Sequence, residues 1–168
     1  MRIRSLVATV GAAALAVGLL SASAVAVAQL TIGQSNSNFG RGQLNGGFMP
    51  DPFAVAITSG GGLDASSMNL APGCRGYVTQ RPDYILNYSN PASFLRFYFV
   101  AAGNGDTTLV INDANGRWHC NDDSYGLNPG IDLRNPPQGQ YDIWVGSYAS
   151  GQNIRGQLYV TEMQSQRP

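Results

Sequence analysis

The sequence predicts an all-β protein, an antiparallel β-sandwich or jelly roll of about eight or nine short strands held by one disulfide. Three observations lead to this fold class. Charged residues make up only 12% of the 168 residues, while glycine (21) and proline (9) are abundant. Short apolar–polar alternations recur about every ten residues and are bounded by Gly, Pro and Asn. No segment shows the 3.6-residue period of an amphipathic helix.

The individual strands follow from alternation and from β-branched or aromatic residues. In the fourth strand, for example, Leu95, Phe97 and Phe99 share one face. An Asn-Gly pair at 115–116 predicts a hairpin between the fifth and sixth strands, and residues 64–70 allow one short helical turn. The predicted strands are 53–58, 76–79, 84–88, 94–100, 107–112, 117–120, 131–133, 141–145 and 156–161.

Residues 1–28 are predicted to be a cleaved secretory signal peptide. Arg2 and Arg4 precede an uncharged apolar run, and the small residues at 26–28 match a signal-peptidase cleavage pattern. A transmembrane anchor is the alternative, but no cluster of positive charge follows the run. Because two of the ten arginines are removed with this segment, residues 29–168 carry a net charge of −2. We therefore expect a bacterial protein that is periplasmic or secreted, with no membrane span after cleavage.

The exported part is expected to contain an arm, one domain and a tail. Residues 29–47 are rich in Gly, Asn, Gln and Ser, and their few apolar side chains cannot form a core, so we expect a flexible arm. This arm could instead add a strand to a partner's sheet. The β-sandwich is expected over residues 48–163, and a polar tail over 164–168.

The only two cysteines, Cys74 and Cys120, both lie in the exported part. An even number of cysteines in an oxidising compartment predicts one disulfide. A free thiol pair and a metal site are the alternatives. The sequence lacks the Cys-x-x-Cys spacing that is typical of zinc sites.

Acidic and amide side chains lie on both sides of the predicted hairpin and suggest a calcium site. Ca²⁺ takes six to eight oxygen ligands, which carboxylates, amide carbonyls and backbone carbonyls supply. The spacing does not match an EF-hand. The alternative is that these side chains bond their own turns. The candidate ligands are Asp106, Asp113, Asn121, Asp122 and Asp123.

Catalysis is less well supported by the sequence. His119, Asp122, Asp123 and Ser124 contain the residue types of a Ser-His-Asp triad. A triad needs a hydrogen-bonded chain in space and an oxyanion hole, which six consecutive residues rarely provide. We therefore assign no catalytic residues.

Three aromatic residues, Trp118, Trp144 and Tyr148, are candidates for a ligand-binding face. Trp144 and Tyr148 are expected on the same face of one strand. Such side chains bind sugars or extended peptides, although more often they fill the space between two sheets. Arg96 is expected at an outward strand position, where it would keep the sheet soluble.

Three segments occur in a characteristic order in the second half of the chain: Asp106–Gly116 (DTTLVINDANG), Asn121-Asp122-Asp123, and Gly139–Tyr148 (GQYDIWVGSY). Together they resemble the bacterial pre-peptidase C-terminal domain, a β-sandwich appended to many secreted proteases and collagenases. The resemblance implies a jelly-roll-like sandwich with a non-catalytic role and, in some members, calcium on the acidic loops. Here we expect a stand-alone secreted module.

These observations predict an exported, non-catalytic binding or structural module, with calcium on the acidic loops as its candidate cofactor. Its expected partner is an extracellular or envelope protein or polysaccharide. Nucleic acid is excluded as a partner because the near-neutral chain could neutralise few phosphates. Two alternatives stay open: a small secreted hydrolase that uses His119 with nearby Ser or Asp, and an extracellular assembly subunit that uses the N-terminal arm.

Overall fold

The computed structural model describes residues 29–168, so the predicted signal peptide lies outside the described residues. Eleven strands in this part form two stacked sheets, and a short 3-10 turn occupies Ala65–Met68. The predicted all-β sandwich is confirmed. Between residues 29 and 168, no helix has the length and apolar character needed to cross a membrane.

The larger sheet contains seven strands, numbered in chain order. They are β1 (Arg41–Asn45), β3 (Leu63–Asp64), β4 (Tyr77–Val78), β5 (Tyr84–Ser89), β7 (Thr107–Asn112), β8 (Trp118–Asn121) and β10 (Gly139–Ser147). The long strand β10 lies in the middle, with β7 and then β8 on one side and β5 and then β1 on the other. The last part of β10 also pairs with β4, which continues to β3. Of the strand pairings described in this sheet, only that of β1 with β5 is parallel.

The smaller sheet has the strand order β2-β11-β6-β9 and is antiparallel throughout. Its strands are β2 (Phe53–Thr58), β6 (Phe94–Ala101), β9 (Gly130–Arg134) and β11 (Arg155–Thr161). The inner faces of the two sheets meet in the main core. Alternation places Leu95, Phe97 and Phe99 in this core, as the sequence predicts, and all three are fully buried.

The segment expected to be a flexible arm differs most from the prediction. Its residues 41–45 form β1, which pairs with β5 of the same chain. Its first residues lie on the outer face of the larger sheet: Leu30 is buried, and the amide of Thr31 donates to the Gln80 carbonyl. Backbone pairing with β5 supplies the stabilisation that the polar side chains of this segment do not.

A second, smaller apolar cluster lies between the outer face of the larger sheet and the segments that cover it. Trp144 of β10 is its largest fully buried side chain. The other members are Leu30, Leu63, Ala65, Met68, Leu70, Val78, Val110, Trp118 and Cys120. The predicted disulfide is confirmed at the edge of this cluster: Cys74 and Cys120 are bonded, with 4.9 Å between their Cα atoms.

Arg96 of β6 does not point into solvent as expected, because its side chain is buried. Its Nε and Nη2 atoms donate to the two carboxylate oxygens of Asp132, at 2.5 and 2.7 Å. Its Nη1 atom donates to the carbonyls of Gln164 and Gln166 in the predicted tail. The tail therefore covers this part of the smaller sheet, and the bidentate ion pair compensates the buried guanidinium.

Asp83 fixes the covering segment to the larger sheet. Its Oδ1 accepts hydrogen bonds from Asn38 Nδ2 at 2.9 Å and Thr79 Oγ1 at 3.3 Å, and its Oδ2 accepts one from the Val145 amide at 2.8 Å. The side chain is fully buried. Burial raises the pKa of Asp83 to about 6, although all three hydrogen bonds act to lower it.

This raised pKa predicts that the protein becomes less stable as the pH rises from about 4 to about 6. In that range the folded state binds more protons than the unfolded state, whose Asp83 has the ordinary pKa of 3.8. The contribution of Asp83 to the free energy of unfolding should fall by about 3 kcal/mol. Urea unfolding at a series of pH values measures this fall in the free energy of unfolding. Asp83→Asn should remove this slope; an unchanged slope in the variant would contradict the assignment.

Candidate functional site

The first predicted site residue, Asp113, organises the turn of the β7–β8 hairpin. Its Oδ1 accepts hydrogen bonds from the backbone amides of Asn115 and Arg117, both at 2.9 Å, and its Oδ2 lies 2.8 Å from His119 Nε2. Burial acts to raise the pKa of Asp113, but the bonds from His119 and the backbone outweigh it, and the pKa is lowered. Its carboxylate oxygens are thus engaged by the turn itself.

Three other candidate ligands lie at the opposite end of the hairpin. The pKa of Asp106 is raised by burial and by the nearby charges of Asp123 and Asp122. Asp122 also forms an ion pair with Arg75 at 3.4 Å. Because the extended strand β7 separates Asp106 from Asp113, the backbone positions of these two residues are about 20 Å apart.

The five predicted calcium ligands therefore do not share one site. The fifth, Asn121, uses its Oδ1 to accept hydrogen bonds from Ser124 Oγ and the Gly130 amide. In residues 29–168, no three His, Cys, Asp or Glu side chains are grouped in a way that could hold a metal ion. Calcium binding stays a prediction. Of the candidate ligands, Asp106, Asp122 and Asp123 lie nearest one another.

The residue types of a catalytic triad are not assembled around His119. The ring pairs with Asp113, whereas the hydroxyl of Ser124 lies within hydrogen-bonding distance of Asn121 Oδ1 and the Gly130 carbonyl. The His–Asp pair is explained by the structure of the hairpin turn. Among the described residues, no nucleophilic side chain is hydrogen-bonded to His119.

The three candidate aromatic residues have different environments. Trp144 is fully buried and packs against Trp118, with 5.6 Å between ring centroids. Trp118 is partly exposed and lines a groove of about 490 Å³ together with Leu30, Ile32, Met68 and Leu70. Tyr148 is 46% exposed and follows the last residue of β10, so it does not share a strand face with Trp144. The three do not form one aromatic surface.

A polar surface that the sequence analysis did not identify lies across β1, β5 and β10. In the strand register, Gln43 is opposite Asn87, which is opposite Gln140. Side chains at directly paired positions point to the same side of a sheet. Since Leu86 and Tyr88 face the core, the amide side chains of Gln43, Asn87 and Gln140 stand together on the outer face.

A second row of polar side chains runs beside the first. Asn45 is paired with Ser89, and its Oδ1 accepts hydrogen bonds from Ser89 Oγ at 3.1 Å and Asn90 Nδ2 at 2.7 Å. The Oε1 of Gln138 accepts a bond from the Asn90 amide at 3.2 Å. Among the described residues, the side chains of Gln43 and Asn87 form no hydrogen bonds of this kind, so their polar atoms face solvent.

Two depressions occupy this surface, with volumes of about 390 Å³ and about 300 Å³. Gln43 and Asn87 line both depressions, so the two are continuous. We call their joint surface the amide trough; it is lined by Arg41, Gln43, Asn87, Ser89 and Gln138. Gly42, Tyr88 and Gly139 also line it. Among residues 29–168, no carboxylate lines the trough, and Arg41 at one end is the one charged residue of its lining.

No family model fits this sequence, and no curated protein is detectably similar to it. The resemblance to the pre-peptidase C-terminal domain therefore depends on the three motifs alone. In the structure these motifs are neighbours. Residues 106–116 contain β7 and the hairpin turn, residues 121–123 are the last residue of β8 and the two that follow it, and residues 139–148 contain β10, which pairs with β7.

Proposed function

We propose that the protein is an exported, non-catalytic binding module whose ligand surface is the amide trough. The observation that supports this proposal is the pair Gln43 and Asn87, two amides that line a continuous concavity and form no side-chain hydrogen bonds with the described residues. Ligand sites are concave, and a small number of placed polar groups in them fixes the orientation of the ligand. The strands that carry them are held by regular pairing, so little ordering accompanies binding.

Export is supported by the disulfide as well as by the predicted signal peptide. The Cys74–Cys120 bond has ordinary Cα separation, and such bonds persist in the periplasm and outside the cell.

We further propose that the domain is of the pre-peptidase C-terminal type. The adjacency of its three motifs on β7, β8 and β10 supports this assignment, since motifs far apart in the fold would have little reason to occur together.

Co-sedimentation with cell-envelope fragments tests the proposed function. We expect the exported protein to sediment with envelope fragments of the bacterium that produces it. The double variant Gln43→Ala/Asn87→Ala should bind at least about tenfold more weakly, because it removes hydrogen bonds that each contribute about 1 kcal/mol. Both side chains lie on the surface, so the variant should unfold at the wild-type urea concentration.

Gln157→Ala provides a matched control for this experiment. Gln157 is also an exposed amide on a strand, but it lies on β11 of the other sheet. The control should bind like the wild type. The proposal would be contradicted if the wild type did not sediment, or if the double variant sedimented as well as the control.

A further inference from the structure

We propose that the ligand of the amide trough is a neutral polysaccharide, bound in an extended conformation across β1, β5 and β10. This inference rests on the proposed function and names its ligand class. The amides of Gln43 and Asn87 would bond to sugar hydroxyls, with Ser89 and Gln138 completing the contacts in the second depression.

The chemistry of the lining residues favours hydroxyl groups. An Asn or Gln side chain offers two N–H donors and one carbonyl acceptor on neighbouring atoms. A sugar hydroxyl is likewise both donor and acceptor, so it can accept a hydrogen bond from the amide N–H or donate one to the amide carbonyl. A strongly charged ligand would find only Arg41 to pair with, at one end of the trough. The trough is therefore complementary to a polar ligand without net charge.

The shape of the surface distinguishes a glycan from an extended peptide. A bound peptide strand takes its affinity from main-chain bonds along a sheet edge and its specificity from pockets for alternate side chains. The trough lies on the face of the sheet, across three strands. Its other lining residues are Gly42, Gly139 and Tyr88, and the Tyr88 ring is buried on the core side of the sheet, so the described lining offers no pockets for apolar side chains.

The amide side chains of the trough repeat from one strand to the next, perpendicular to the strand direction. Neighbouring strands are about 4.8 Å apart, so Gln43 and Asn87 present similar groups at successive positions. The second row is already fixed by bonds among Asn45, Ser89 and Asn90. A linear polymer of similar units fits such a row better than a ligand with one distinctive group. Several weak contacts would add along the chain.

Affinity electrophoresis with dextran and dextran sulfate tests the ligand class, because the two polymers share a backbone and differ in charge. The neutral polysaccharide fraction of the envelope, laminarin and galactomannan complete the set. We expect at least one neutral polymer to retard the wild type, with the retardation constant changing less than about twofold between low and high salt. Gln43→Ala/Asn87→Ala should weaken retardation at least about tenfold, and Gln157→Ala should not.

Three results would overturn the inference. The first is the failure of every neutral polymer to retard the protein while envelope binding through the trough persists; the proposed function would then stand without this ligand class. The second is retardation by dextran sulfate alone, abolished by salt, which would indicate ionic binding at Arg41. The third is self-association in analytical ultracentrifugation that the double variant removes, because the trough would then be an interface between copies of the chain.

Discussion

Replacing Cys74 and Cys120 with alanine is expected to lower the free energy of unfolding by about 4 kcal/mol. The bond links positions 46 residues apart, and without it the unfolded chain regains the entropy that this closed loop had lost. The bond also fixes the loop around Cys74 to β8, an edge strand of the larger sheet. Alanine suits these positions because Cys120 packs against an apolar cluster and Cys74 is buried, so that a serine hydroxyl at either position would need a partner.

Urea unfolding of the double alanine variant, measured with and without reductant, checks this value. Reduced wild-type protein serves as the control and should unfold with the variant, because both lack the crosslink. Equal stability of oxidised wild type and variant, within about 0.5 kcal/mol, would show that the crosslink does not constrain the unfolded state as the entropy argument requires.

Trp144→Ala is expected to lower the free energy of unfolding by about 4 kcal/mol. The side chain is fully buried in the cluster that joins the covering segments to the larger sheet. Truncation would remove this contact area and leave a cavity beside Trp118. The loss should also loosen residues 29–40, whose Leu30 belongs to the same cluster.

Trp144→Phe is the matched variant for this prediction. In the described part of the chain, the buried Nε1 of Trp144 has no hydrogen-bond partner. Phenylalanine removes this unsatisfied donor and keeps an aromatic ring against Trp118, so we expect a cost of about 1 kcal/mol. Thermal unfolding followed by circular dichroism compares the two variants. A phenylalanine variant as unstable as the alanine variant would mean that the indole N–H makes a stabilising contact.

Strands with a clear alternation were predictable from the sequence, and β1 was not. In β6 the core residues Leu95, Phe97 and Phe99 define the strand without reference to any neighbour. In β1 only Leu44 is apolar, and the strand depends on parallel pairing with β5. A single sequence carries little signal for such a pairing, because the residues that satisfy the backbone are distant in the chain. The two-residue strand β3 was missed for the same reason.

The candidate sites show a related difference. Asp106, Asp113 and Asp122 are close in the sequence, and nearness suggested one calcium site, but the extended β7 places Asp113 at the other end of the hairpin. The amide trough combines Gln43, Asn87 and residues near β10 from three separate parts of the chain. Once β1 is recognised as a strand, alternation puts Gln43 on its outer face. The partner Asn87 follows only from the register.

Nuclear magnetic resonance of the side-chain amides tests the central claim, that the protein binds its ligand in the amide trough. The neutral polysaccharide fraction of the envelope is added to ¹⁵N-labelled protein, and the NH₂ signals of Asn and Gln are followed. The account predicts that the signals of Gln43 and Asn87 shift on titration while that of Gln157 stays in place. Shifts confined to the Trp118 indole or to the loop at Asp122, with Gln43 and Asn87 unchanged, would contradict it.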